Sequence, residues 1–266
     1  MVKIHVGCAG WDYKDWRGIF YPKNLEKSSY LEYYSNYFDL LEVNSTFYNL
    51  PAEETVINWG QKVPKSFKFT IKVWQDITHD LFNSNLSSKI SQFFYRLSPL
   101  KDKISSFLLQ FPPWFKYSEK HLRQLSYIIN QLPIQYKYVI ELRDNSWYDV
   151  KILEELINGK KVILGTIYFE GIKEFYFPNQ EIYYIRLIGN RQLNVFNRIQ
   201  RDQKDILYRL FEKLEVLNKS PNVFEIFIIV NNHFTGFSPE TANELKKMLN
   251  IPYKAFSKQK KLLDFF

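Results

Sequence analysis

Short apolar runs rich in β-branched residues recur along the chain at Ile4–Cys8, Leu40–Val43, Lys68–Val73, Phe107–Gln110, Tyr138–Leu142, Lys161–Ile167, Ile182–Leu187 and Glu225–Val230. Each has the length of a strand, and there are eight of them. Between them lie stretches with a helical period, among them Glu119–Gln131, Val150–Asn158, Asp202–Asn218 and Pro239–Leu249. Ser238 followed by Pro239 reads as a helix start, with a capping hydroxyl and a proline in the first turn. Strand–helix alternation repeated eight times predicts an α/β fold of the TIM-barrel-like (β/α)₈ type. The alternative, a doubly wound open sheet, does not call for eight strands. Tyr168–Gln180 lacks a helical period and reads as a hairpin or loop, so the barrel is expected to be irregular near strand six. Residues 1–252 are expected to form one domain, followed by a short tail, 253–266.

The size of 266 residues suits an undivided α/β barrel, and 45% hydrophobic residues suffice for its core. A formal net charge of +8 favours a polyanionic partner such as DNA, although a solvated lysine-rich surface carries the same charge. Aromatic residues reach 18%, which supplies core mass and stacking platforms alike. The one cysteine, Cys8, excludes an internal disulfide and fits the reducing cytoplasm. With no signal peptide and no apolar run long enough to span a bilayer, a cytoplasmic protein without a membrane partner is expected.

In a barrel of this kind, function sits at the carboxyl ends of the strands. The chain places unusual polar groups there. Strand one leads to Trp11, Tyr13 and Trp16, and strand two runs through Glu42 to Asn44 and Tyr48. Strand three reaches Lys72, with Asp76, Thr78 and His79 in the following loop. Strand five carries Glu141, Arg143 and Asp144, followed by Trp147. Strand seven carries Arg186, and strand eight ends in Asn231, Asn232 and His233. Alternation turns Glu42 and Asn44 to one side of their strand, and Glu141 and Arg143 to one side of theirs.

These segments resemble the YecE-like family, also called domain of unknown function 72. The resemblance is carried by Gly7-Cys8-Ala9-Gly10-Trp11-Asp12-Tyr13, by Glu42-Val43-Asn44-Ser45-Thr46-Phe47-Tyr48-Asn49-Leu50-Pro51, by Phe69-Thr70-Ile71-Lys72, by Ile77-Thr78-His79, by Glu141-Leu142-Arg143 with Trp147, and by Asn231-Asn232-His233. It extends to about Leu249 and implies a TIM-barrel-like fold without a settled activity. After strand seven the family usually shows Arg-Leu-His-Gly, whereas Arg186-Leu187-Ile188-Gly189 stands here, so no role for that histidine carries over.

Glu42 and Glu141 are the first candidates for acid–base chemistry, and a buried ion-pair network is the bland alternative. With Asn231 or Asn232 they also offer ligands for one or two Mg²⁺ or Mn²⁺ ions. His79 and His233 are candidate general acids, although no spacing here amounts to a metal motif. Lys72, Arg143 and Arg186 suit a phosphate or other anion, and Asn44 belongs to the same catalytic set. Trp11, Tyr13, Trp16, Phe47, Tyr48, Trp147 and Asn232 are candidates to line the substrate site, with core packing under the loops the better reading of Trp11, Trp16, Phe47, Tyr48 and Trp147 taken singly. No Walker loop, dinucleotide fingerprint or nucleophile elbow is present, so nucleotide-driven, dinucleotide-dependent and serine-hydrolase chemistry are poorly supported.

The final eight residues read Q-x-x-L-x-x-F-F and resemble the PCNA-interacting peptide, or PIP box, of replication and repair proteins. Leu262, Phe265 and Phe266 stand at i, i+3 and i+4, so one helical turn gathers them into an apolar plug, with Gln259 at its edge. The alternative is a terminal staple packed back on the domain. The resemblance implies a sliding-clamp partner, an archaeal source and a tail lying outside the family domain. Together, tail, charge and polar barrel mouth predict a DNA-processing enzyme, a nuclease or related phosphodiester hydrolase. The other two expectations are an enzyme acting on a sugar or phosphorylated small molecule and a non-catalytic clamp-bound adaptor.

Overall fold

The eight apolar runs become eight parallel strands, hydrogen-bonded in sequence order and closed where the last pairs with the first. They are β1 (Lys3–Ala9), β2 (Leu40–Val43), β3 (Lys68–Lys72), β4 (Ile104–Gln110), β5 (Tyr138–Glu141), β6 (Val162–Tyr168), β7 (Ile182–Leu187) and β8 (Glu225–Val230). This computed structural model describes residues 2–80 and 85–256. Among them, no helix is long and apolar enough to cross a membrane.

The helices are α1 (Tyr30–Ser35), α2 (Ser45–Tyr48), α3 (Glu53–Gln61), α4 (Gln75–Thr78), α5 (Leu86–Leu97) and α6 (Glu119–Gln131) in the first half. The second half adds α7 (Val150–Leu153), α8 (Lys204–Asn218), α9 (Asn232–Thr235) and α10 (Ser238–Met248). Between β6 and β7 there is no helix, as the missing period over Tyr168–Gln180 foretold.

Most ends stand within two residues of the sequence reading, and three departures have a local reason. β4 begins at Ile104 rather than Phe107 because Ile104 and Ser106 pair with Phe69 and Thr70 of β3 across a register shift. The helix expected over Val150–Asn158 stops at Leu153. Beyond it Asn158 Oδ1 accepts the N–H groups of Lys160, Lys161 and Val162 at 3.1, 2.9 and 3.0 Å, a turn that delivers the chain into β6. Ser238 does not cap α10; Phe237 occupies that position without a side-chain cap. The Ser238 hydroxyl and N–H both donate to Asn232 Oδ1, at 2.8 and 2.9 Å, which satisfies a buried amide instead.

Strand alternation divides the barrel interior into three layers. The middle is apolar: Ala9, Leu40, Leu108, Val139, Ile163, Ile182, Tyr184, Phe227 and Ile229 form a buried cluster separate from the outer core under the helices. One step of two residues up from Leu40, Leu108, Val139 and Tyr184 stand Glu42, Gln110, Glu141 and Arg186, and Lys72 stands two beyond Thr70. The floor is charged again. His5 Nδ1 lies 2.7 Å from Asp39, its Nε2 3.3 Å from Glu225, and Lys68 pairs with Glu225 at 3.3 Å.

The chain leaves the barrel along its flank. Phe256 packs edge-on against Phe20 and Phe237, at 5.2 and 5.9 Å between ring centres, and lies 6.2 Å from Tyr37. Gln259, Leu262, Phe265 and Phe266 lie outside the described residues.

Gly7 is where β1 and β2 demand the absence of a side chain: a Cβ there would meet the Leu40 carbonyl oxygen at 2.0 Å, and backbone cannot yield cheaply. Gly7→Ala is expected to lose about 1–3 kcal/mol, as overpacked cores do. Denaturant unfolding measures it, and an unchanged midpoint would show that the two strands separate freely.

Candidate functional site at the carboxyl ends of the strands

The top layer of the barrel interior is a chain of alternating charges. Arg186, from β7, reaches across the mouth. Its Nη2 donates to Glu42 Oε1 at 2.6 Å and its Nη1 donates to Glu141 Oε2. Arg143 continues the chain by donating from Nε to Glu141 Oε1 at 2.7 Å. Tyr184 completes the other end, donating to Glu42 Oε2 at 2.8 Å while its hydroxyl also meets Thr70 Oγ1 at 2.8 Å. All of these side chains are buried. Burial alone disfavours the Glu141 carboxylate, but Arg186 and Arg143 outweigh it and bring its pKa down to about 2.

The guanidiniums are not fully satisfied by this chain. Arg186 Nε is buried with no acceptor among the described residues. Arg143 Nη2 lies 2.7 Å from Glu141 Oε1, close enough for an ion pair but out of line for a hydrogen bond, so its donor too is unmet. Asn232 Nδ2 is a third buried donor without an aligned acceptor among the described residues; it lies near the Tyr13 hydroxyl, which burial keeps protonated by raising its pKa well above the ordinary 10.

Lys72 stands beside this chain and is not paired with either carboxylate. Its Nζ donates to Gln110 Oε1 at 2.8 Å and lies 3.7 Å from the centre of the Phe47 ring. Burial first, then repulsion from Arg186, lowers its pKa to about 7. His79 lies next to it, edge-on to Phe47 at 5.0 Å and bonded through Nδ1 to Thr78 Oγ1 at 2.8 Å. Burial, with Lys72 and Arg143 nearby, brings its pKa down to about 4, so it is neutral at neutral pH. The lip adds Arg191, whose own charge is disfavoured by burial and by Arg143. Two carboxylates against three guanidiniums and a titrating amine leave the mouth net positive.

The expected site residues divide into those this geometry gathers and those it does not. Glu42, Lys72, Glu141, Arg143 and Arg186 form one buried cluster, with His79, Tyr13 and Asn232 at its edge. Asn44 is half-buried at the start of α2 and makes no capping bond there. Tyr48 is exposed at the rim, stacked edge-on with Phe47 at 5.1 Å. Asn231 is spent locally: its Oδ1 caps α9 by accepting the His233 N–H at 3.0 Å. His233 packs edge-on against Phe196 at 4.9 Å, and its Nδ1 is buried without a hydrogen-bond partner among the described residues.

Three tryptophans require correction as substrate platforms. Trp16 and Trp147 are fully buried; Trp147 donates from Nε1 to the Phe115 carbonyl at 2.6 Å and stacks on Phe115. Trp11 packs edge-on against Trp59 in a side groove with Lys27 and Lys62. Between Glu42 and Glu141, where the sequence offers ligands to a metal ion, stands the Arg186 guanidinium. Among the described residues no group of three His, Cys, Asp or Glu side chains could hold a metal ion. Cys8 is buried as a thiol whose pKa rises to about 12 through burial, so it adds no nucleophile.

Sequence reasoning passed over Gln110, Tyr184 and Arg191. For Gln110 and Tyr184 the signal was present: each is a polar group at an inward position of an otherwise apolar strand.

A closed parallel barrel with a buried charged cluster at its carboxyl end defines the class, a TIM-barrel-like (β/α)₈ protein. The chain belongs to the family described as protein of unknown function DUF72, which matches residues 5–263 and so runs into the tail, past Leu262. It is similar to the UPF0759 protein YunF of Bacillus subtilis, 21% identical over 99% of this chain and 100% of that one. The UPF0759 protein YecE of Escherichia coli is 26% identical over 58% of this chain and 54% of its own length. Among solved structures, a DUF72 family protein from Thermotoga maritima aligns with a TM-score of 0.77 at 24% identity, covering 93% of this chain and 99% of that one. A DUF72 family protein from Enterococcus faecalis gives 0.75 at 24%, over 95% and 99%. These relatives are bacterial and do not support the archaeal source expected from the tail.

Glu141→Gln leaves Arg186 and Arg143 without their shared counter-charge and is expected to cost about 3–5 kcal/mol, as breaking one side of a buried pair does. Because the folded pKa lies below the ordinary 4.5, the wild-type carboxylate stabilises the fold above pH 4.5 and loses that effect as pH falls towards 2. Denaturant titrations across that window should show a shallower acid slope for Glu141→Gln. An equal slope would remove Glu141 as the titrating group.

Proposed function

We propose that the barrel mouth is the active centre of an enzyme acting on a phosphate-bearing substrate, in the cell a phosphodiester of DNA. The observation that carries this reading is the buried Arg186 Nε, a guanidinium donor with no acceptor among the described residues, beside Arg143 and a lysine poised to titrate near neutrality. A buried donor without an acceptor is costly, and a phosphoryl oxygen satisfies both its hydrogen bond and its charge. Glu42 and Glu141 orient Arg186 and Arg143 rather than activate water, because both are committed to guanidiniums. Lys72 is the group for proton transfer. As a neutral amine it takes a proton from the attacking water, and as an ammonium beside the two arginines it stabilises the charge developing on phosphate. His79, neutral at working pH, helps to place that water.

Within the same proposal, the tail delivers the enzyme to DNA by docking Leu262, Phe265 and Phe266 on the sliding clamp. The formal net charge of +8 supports a polyanionic partner. A metabolite with a terminal phosphate is the competing substrate, favoured by the depth at which the charged cluster is buried.

Incubation with end-labelled DNA, single-stranded and duplex, tests the assignment. We expect cleavage by wild type whose kcat/KM rises with pH through about 7, as Lys72 loses its proton, and a fall of about 10²–10⁴-fold in Lys72→Met. Cleavage unaffected by Lys72→Met, or none with any DNA, refutes it. For the clamp, the full chain should be retained on immobilised PCNA and a chain ending at Lys258 should not. Equal retention of the two removes the tail from the proposal.

A further inference from the structure

A cavity of about 260 Å³ opens at the carboxyl ends of β6 and β7, beside the charged mouth. Its apolar walls are Tyr168, Phe169, Ile172, Ile206 and Phe234, and its polar groups are the amides Asn190 and Gln203, Arg201, and the carboxylates Glu170 and Glu174. Whole small-molecule sites run to roughly 300–1,000 Å³, so this volume suits one ring system of a larger ligand. The amides are held in place: Gln203 Nε2 donates to the Phe234 carbonyl at 3.2 Å, and Asn190 Nδ2 donates to Gln192 Oε1 at 3.1 Å. Gly189 lets the end of β7 lie against α9 beside the cavity, because a Cβ there would meet the His233 carbonyl oxygen at 2.3 Å and its φ is +76°.

The cavity is preformed. The helix-free segment after β6 is tied down by Asn145, which donates to the Gly171 carbonyl at 2.9 Å and accepts the Lys173 N–H at 2.8 Å. Thr166 Oγ1 donates to the Phe175 carbonyl at 2.9 Å, and Arg209 pairs with Glu174 at 2.8 Å. It also adjoins the mouth at two points. Phe169 lines the cavity while the Arg143 guanidinium lies 5.3 Å from its ring centre. Asn190 lines it too, and the next residue, Arg191, is close enough to feel Arg143, Glu141 and Arg186.

We propose that this cavity receives the base of a nucleotide whose phosphate is held by Arg143, Arg186 and Lys72. The inference rests on the reading of the mouth as a phosphate site and adds the substrate's other half. Aromatic faces and β-branched side chains sandwich a flat heterocycle, while fixed amides and Arg201 offer hydrogen bonds to its edge. In a DNA strand the occupant is an unstacked or terminal base.

Calorimetric titration of the full chain with adenosine 5′-monophosphate, ribose 5-phosphate and inorganic phosphate tests it. The nucleotide is expected to bind at least about tenfold tighter than ribose 5-phosphate, in line with what stacking of one base contributes. Ile206→Trp and Ile172→Trp, which fill the cavity from a helix and from a loop, should each abolish that excess and leave ribose 5-phosphate binding unchanged. Unchanged sugar-phosphate binding also certifies that each variant is folded. Equal affinity for the two ligands, or an excess that survives both substitutions, overturns the cavity assignment while the phosphate reading stands. Binding of none of the three probes overturns the phosphate reading itself, and the base site with it.

Discussion

The site depends on one side chain, Arg186, which holds Glu42 with one nitrogen and Glu141 with another from the far side of the mouth. Either carboxylate alone, buried in this interior, faces a desolvation cost of several kcal/mol. Bridged, the two share one guanidinium that lacks the freedom to turn away, and Glu141 stays ionised. Arg143 and Tyr184 extend the bridge to either side, so strands two, five and seven are linked through side chains as well as through the sheet. Such a network adds little net stability over an apolar plug of the same volume. What it supplies is a fixed array of charges at one end of the barrel.

The array exists because the interior is layered. A step of two along each strand carries it from the apolar girdle around Leu108, Val139 and Tyr184 to the polar layer above. The girdle separates the mouth from the charged floor at His5, Lys68 and Glu225. It also lowers the dielectric under Lys72, which is why burial leads the causes that bring the amine's pKa towards neutrality. The aromatic cap of Phe47 over that amine finishes the enclosure.

Much of this was legible beforehand. The eight strands stand within a few residues of their apolar runs, because β-branched segments between helical periods leave little room for another fold. Glu42, Lys72, Glu141, Arg143 and Arg186 were recognisable as polar groups where a barrel strand ends. The pairing was not, since nothing in Glu42 or Glu141 says that Arg186 will reach both. Aromatic roles were legible least. Trp16 and Trp147 are attached to strand ends, as site residues would be, yet both turn under the loops, where their large apolar area is better used. The unfilled space between Phe169 and Phe234 belongs to three separate segments and has no local signature at all.

The anchoring of Phe256 between Phe20, Tyr37 and Phe237 draws three separate connections of the barrel onto one ring. Those partners come from the segment after β1, the segment after α1 and the turn between α9 and α10. Loosening that aromatic knot would therefore be felt at three places in the wall at once.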